Sequence, residues 1–89
     1  MAAPDDLGRI STWLQAKSAE EGAARNTLAA YARDLRELGD WASGQGRNLD
    51  ALTRDDVEAY LAHCDAQGLS RATRARRLAA IRGYFRFAY

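Results

Sequence analysis

The chain has 89 residues, enough for one small domain that buries only about 60–65% of its extended surface. It is 47% hydrophobic, much of that alanine, with one proline and one cysteine; it has no run of about 18 apolar residues, its first ten residues lack a basic-then-apolar signal pattern, and one cysteine cannot form an internal disulfide, all of which fits a reducing cytoplasm. The formal net charge of +1 hides a strong polarity: Arg71, Arg74, Arg76, Arg77, Arg82 and Arg86 give +6 after Asp65 with no acid among them, whereas residues 1–65 hold seven Lys/Arg against twelve Asp/Glu, a net of −5. Such a split points to a polyanionic partner.

In chain order, Met1–Pro4 reads as a flexible tail and 5–89 as one domain. Asp5 and Asp6 place negative charge at a helix start. Leu7, Ile10 and Leu14, with Trp13 beside them, then follow at 3- and 4-residue spacing, which predicts an amphipathic first helix ending around Glu21–Gly22. Asn26-Thr27 can cap a second helix, whose stripe is Leu28, Tyr31, Leu35, Leu38 and Ala42, with Trp41 at its flank and Gly44-Gln45-Gly46 as its stop. A short loop through Leu49 and Leu52 leads to Thr53, which with Asp56 three positions on resembles a capping box. Val57, Tyr60, Leu61 and Cys64 mark a shorter third helix, ended by Gly68. Ser70 caps a fourth, with Leu78, Ile81, Phe85 and Ala88 on one side. Strand signals, repeats and low-complexity segments are absent. Phe87 falls about 180° from Leu78 on a helical wheel, so an aromatic faces solvent near the last residue, as expected of a piece of a longer protein.

Catalytic chemistry finds little support. His63, Cys64 and Asp65 are neighbours on one helix and point about 100° apart, so none can orient another. Asp55-Asp56 and Glu20-Glu21 read as solvated helix-terminus charges. Metal-ligand spacing and phosphate-cradling glycine loops are missing, so no metal or cofactor is expected. Nucleic-acid binding fits better. Two helix starts carry hydroxyl or amide side chains beside arginine, Arg25-Asn26-Thr27 and Ser70-Arg71-Ala72-Thr73-Arg74, and free N–H groups there suit phosphate. Arg76, with Ala72 and Thr73, is expected on the outer face of the fourth helix, within reach of a major groove. Arg77 is intermediate. Arg82 is expected near the core edge, paired with an acid such as Asp34. Ala29, Ala30, Ala72, Ala79 and Ala80 are small enough to let backbone approach DNA, and the basic helix has no acids of its own to pair with.

The segment Asn26–Leu35 followed by Trp41, the segment Gly68–Phe85, and Thr53–Val57 with Tyr60-Leu61 together resemble the N-terminal core-binding (SAM-like) domain of tyrosine recombinases and phage-type integrases, nearest the Xer type. The likeness covers roughly residues 5–89. It implies an all-α, compact four-helix orthogonal bundle, and one half of a C-shaped clamp on double-stranded DNA that touches the duplex through its second and fourth helices. By position Asn26, Thr27 and Tyr31 fall on the second-helix motif, although Tyr31 also falls on the core stripe; Ser70, Arg71, Thr73, Arg74, Arg76 and Arg77 fall on the fourth. Ile10, Trp13 and Leu14 either meet a neighbouring protomer in a tetramer on DNA or belong to the core. The family's catalytic set lies in a C-terminal domain absent from this chain, so neither Tyr84 nor Tyr89 is a nucleophile, and the chain is expected to bind DNA without cutting it. Two alternatives stay open: a helical protein-interaction module anchored by Trp13, Trp41 and Phe87, and a free-standing helix-turn-helix regulator.

Overall fold

The computed structural model describes residues 2–21 and 24–88, with backbone alone at residues 20 and 21. Of the residues expected as a tail, Met1 lies outside this set, Ala2 is buried and Pro4 already opens helix α1, Pro4–Glu21. Proline suits that place because a first-turn residue needs no N–H partner. Asp5 and Asp6 stand in the same turn. Asp6 does more than offset the helix dipole: it is buried, and both its carboxylate oxygens accept the Leu49 N–H, at 3.2 and 3.0 Å.

Helix α2 spans Arg25–Gly44. The expected cap at Asn26-Thr27 is displaced. Ala24 is the N-cap, with extended backbone and no side-chain cap, so Asn26 and Thr27 lie inside the first turn. Arginine propagates a helix better than asparagine, and the helix extends back through Arg25. The other end matches the glycine signal. Gly46 has φ of 73°, and the N–H groups of Gly46 and Arg47 return to the carbonyls of Ser43 and Ala42 at 3.0 and 2.9 Å, a Schellman closure.

The connection contains a 3₁₀ turn, Leu49–Ala51, capped by Asn48, whose side-chain oxygen accepts the Ala51 N–H. Leu49 is wholly buried. Helix α3, Arg54–Ala66, starts with the full capping box: Asp56 N–H donates to Thr53 Oγ1 at 3.2 Å and Thr53 N–H donates to Asp56 Oδ2 at 2.8 Å. The hydrogen bond from the Thr53 backbone, helped by the Arg47 guanidinium, holds the Asp56 carboxyl below the usual aspartate value. Gly68, with φ of 75°, ends this segment, and α4 runs Arg71–Ala88. Ser70 caps α4, its Oγ accepting the Thr73 N–H at 3.1 Å.

The four helices enclose one core, with no strand among the described residues. Ile10 and Trp13 of α1, Leu35 and Leu38 of α2, Leu49, Tyr60 and Cys64 of α3, and Ala80, Ile81 and Tyr84 of α4 build it. Trp13 is the hinge of the packing: its ring meets Tyr84 edge-on at 6.1 Å and lies tilted over Tyr31 at 5.8 Å. Ile10 and Trp13 are therefore core, and Leu14 packs against them. The buried face of α4 also differs from the expected stripe. Ala80, Ile81 and Tyr84 are buried, Leu78 and Phe85 are half-buried, and Ala88 is exposed. The missing side chain at Gly83 lets the Trp13 ring close on this face, since a Cβ there would sit 2.9 Å from Trp13 Cζ2.

Two glycine substitutions of opposite sign test this packing. Gly8 lies within α1 facing open space, with no atom within 4 Å of where a methyl would stand, so Gly8→Ala should gain helix propensity and stabilise by about 0.5–1 kcal/mol. Gly83→Ala gains the same propensity but drives a methyl into a buried indole, and should destabilise by about 1–2 kcal/mol net. Thermal unfolding of both variants checks the pair; equal shifts would contradict the Trp13–Gly83 contact.

Candidate nucleic-acid interface

The four helix starts divide into two kinds. Those of α1 and α3 carry two acids each in the first turn, Asp5 and Asp6, and Asp55 and Asp56. Those of α2 and α4 carry none; each begins with arginine, Arg25 and Arg71, as α3 does with Arg54, but with no acid in the turn to offset it. A cation at a helix N-terminus opposes the macrodipole, so these two ends favour an external anion. At α2 no side chain caps the first-turn N–H groups, and Arg25, Asn26 and Thr27 are all exposed. At α4 the Ser70 hydroxyl is consumed locally: it accepts the Thr73 N–H and donates to Thr73 Oγ1 at 3.0 Å. The Thr73 hydroxyl keeps its own hydrogen to donate. Arg71 is exposed.

The arginines of α4 divide as well, and not as expected. The basic helix does meet acids, from its neighbours. Arg74 pairs with Asp65 of α3 at the surface. Arg76 grips Asp34 of α2 with two parallel hydrogen bonds, Nε to Oδ2 and Nη2 to Oδ1, both 2.9 Å. Arg77 Nε stands 3.6 Å from Asp34 Oδ1, while its Nη1 donates to the Tyr60 hydroxyl at 2.9 Å and lies 3.7 Å from Cys64 Sγ. Asp34 is completely buried. Its hydrogen bonds raise the Arg76 guanidinium above the ordinary arginine value. Burial, then the Cys64 sulfur, pushes the Tyr60 phenol up, so it stays a neutral acceptor for Arg77.

The expected Arg82–Asp34 pair is thus replaced by Arg76 and Arg77, and Arg82 is exposed. The reason is helical phase. Residues 77, 80, 81 and 84 follow at 3- and 4-residue spacing, so burying Ala80, Ile81 and Tyr84 turns Arg77 inward with Arg76 at its edge and sends position 82 outward. The same phase creates an exposed stripe: Ala72, Ala75, Ala79, Arg82 and Arg86. Arg71 lies beside its start. Arg82 and Arg86 were not among the sequence candidates, although the 3–4–3–4 spacing that aligns them with the alanines is readable. Ala80, expected at the surface, is buried, whereas Ala29, Ala72 and Ala79 are exposed and Ala30 half-buried.

Other surfaces offer less. Trp13 is buried and Trp41 is half-buried against Tyr60, with ring centroids 5.5 Å apart, which removes two of the three expected protein anchors. Phe87 remains 49% exposed beside an open groove of about 1090 Å³ that Asp5, Arg9 and Asp50 also line. Tyr89 lies outside the described residues. Among the described residues no group of His, Cys, Asp or Glu is arranged to hold a metal ion, and no helix is long and apolar enough to cross a membrane.

Similarity to known proteins fits this geometry. The phage integrase N-terminal SAM-like domain profile matches residues 10–89. A tyrosine recombinase XerD of Agrobacterium fabrum is 40% identical over 84 residues, which is 94% of this chain and 25% of that protein. The XerD of Rhizobium meliloti is 39% identical over 80 residues, 90% of this chain and 26% of that protein. The XerD of Bifidobacterium longum is 43% identical over 70 residues, 78% of this chain and 23% of that protein. The chain therefore spans about a quarter of the length of these relatives. No solved structure matches.

The two carboxylates that meet α4 should differ sharply in stability terms. Asp65→Ala removes a surface pair and should cost under about 1 kcal/mol. Asp34→Ala strands two guanidinium groups around a buried cavity and should cost about 3 kcal/mol. Chemical denaturation of both variants makes the comparison, and equal losses would contradict the burial assigned to Asp34.

Proposed function

The chain belongs to the phage integrase N-terminal SAM-like domain family, and from that premise we propose that it is the DNA-binding domain of a site-specific tyrosine recombinase, holding duplex DNA through α2 and α4. The observation that carries this reading is the pairing of two features on those same two helices. Both have acid-free, arginine-bearing starts, and α4 adds an exposed stripe of alanines ending in two arginines.

Each residue then has a role. The N–H groups and side chains of Arg25, Asn26 and Thr27 take phosphate at the start of α2. Arg71 and the Thr73 hydroxyl do so at the start of α4, on a turn shaped by Ser70. Ala72, Ala75 and Ala79 let the helix backbone come close to the duplex, and Arg82 and Arg86 neutralise phosphates beyond them. Arg74 sits in a surface pair with Asp65 that a phosphate can replace, since such pairs are worth little. Arg77, 12% exposed at its side chain, serves the fold.

The strand-cleaving residues belong, in this reading, to a C-terminal domain of a longer protein, and the chain itself binds without cutting. The XerD-named relatives favour the Xer type, whose reaction is the resolution of chromosome dimers, with protomers assembled as a tetramer on DNA in the cytoplasm.

Fluorescence anisotropy with a mixed-sequence DNA duplex tests the reading. The 89-residue chain should bind with Kd of about 10⁻⁴ to 10⁻⁶ M near physiological salt, and affinity should fall linearly with salt on a log–log scale. Arg82→Ala should reduce that slope by about one. Absence of binding, or binding indifferent to salt, would overturn it. If the groove beside Phe87 were the functional surface instead, Phe87→Ala would abolish partner binding and Arg82→Ala would leave it intact.

A further inference from the structure

A guanidinium has five N–H groups in two forks. Arg76 spends one fork on Asp34, through Nε and Nη2. Its other edge, both hydrogens on Nη1 and the second on Nη2, has no partner among the described residues. The side chain is 38% exposed while Asp34 is 0% exposed, so the spent edge faces the interior and the free edge faces water.

Charge counting adds a second observation. One bidentate arginine is enough to compensate a buried carboxylate. Asp34 has two, Arg76 and Arg77, and the other groups that meet Arg77, the Tyr60 hydroxyl and the Cys64 sulfur, bring no further carboxylate. The cluster is left with one surplus positive charge, carried by its more exposed member, Arg76. A third observation is position. Arg76 lies four residues after Ala72 and three before Ala79, so it borders the exposed alanine stripe of α4.

We infer that Asp34 is a positioning residue for DNA binding: from inside the protein it locks Arg76 in one rotamer, so that the free fork of the guanidinium is presented, already oriented, to a backbone phosphate of DNA lying along the alanine stripe. The inference rests on the DNA-binding reading above. Orientation matters because a free arginine loses its rotamer entropy on contact, whereas a held one has lost it beforehand.

The consequence runs against simple electrostatics. Removing an acid makes a protein more cationic and should strengthen its attraction to DNA. Asp34→Asn should weaken it, because Arg76 keeps its charge but loses its aim. Binding of the 89-residue chain to a mixed-sequence duplex is measured for wild type, Asp34→Asn, Arg76→Lys and the charge-matched control Glu37→Gln on the exposed side of α2, with circular dichroism on each. We expect Kd to rise about three- to tenfold for Asp34→Asn and for Arg76→Lys, and to stay level or fall for Glu37→Gln. A folded Asp34→Asn that binds as tightly as wild type, or tighter, overturns the inference. If Asp34→Asn fails to fold, Arg76→Lys decides: it preserves charge and leaves Arg77 on Asp34, so unchanged binding overturns the inference and weakened binding supports it. Failure of the wild-type chain to bind at all sinks the DNA reading itself, a result distinct from either.

Discussion

A carboxylate taken wholly out of water must find a cation, and Asp34 finds two across the α2–α4 interface. Leaving a buried charge unpaired costs several kcal/mol, more than any surface contact in this molecule returns. The demand of Asp34 therefore fixes how α4 is rotated about its own axis. With Arg76 and Arg77 turned to α2, Ala80, Ile81 and Tyr84 follow into the core one and two turns later, and the ring of Trp13 closes over Gly83. What remains outside is set by subtraction: the alanines at 72, 75 and 79, then Arg82 and Arg86.

This division explains how a small, nearly neutral domain presents a basic surface. Four acids are spent on contacts between and within elements. Asp6 holds the 3₁₀ turn, Asp56 closes the capping box of α3, Asp34 anchors α4, and Asp65 meets Arg74. Arg9 and Arg47 are drawn into pairs with Asp50 and Asp56. Among the described residues, the arginines with no acid partner are exposed on the two helices whose N-terminal ends hold no acid: Arg25, Arg33 and Arg36 on α2, and Arg71, Arg82 and Arg86 on α4. Uncompensated positive charge is thus exposed on both helices, although the sum over the chain is only +1.

Much of the architecture was legible from local signals. The capping box at Thr53–Asp56, the glycine stops at Gly46 and Gly68, and the Ser70 cap each act through neighbours in sequence, and each is where the sequence places it. The all-α four-helix fold and the family follow from the same motifs. Long-range contacts are not legible in this way. Asp34 lies 42 residues from Arg76, and nothing local says that a lone acid in a Tyr-Ala-Arg-Asp-Leu run is buried. A stripe centred on Leu78 rather than on Ala80–Ile81 differs by a rotation of the helix that puts Arg76 outside and Arg82 inside. Gly83 carries no apolar signal of its own, because its role is to admit Trp13, a residue 70 positions away in sequence. Phe87, whose exposure depends only on helical phase near the end of α4, was placed correctly.

The orientation of α4 is open to direct measurement by amide NMR, with ¹⁵N-labelled chain titrated with a DNA duplex at low salt. The largest shifts should fall on residues 25–27 and 71–73 and on Ala75, Ala79 and Arg82, while Asp5, Asp6, Asp55 and Asp56 at the other two helix starts stay still. Shifts centred on the starts of α1 and α3, or on the groove beside Phe87, would contradict the claim that the pull of Asp34 turns this face of α4 toward DNA.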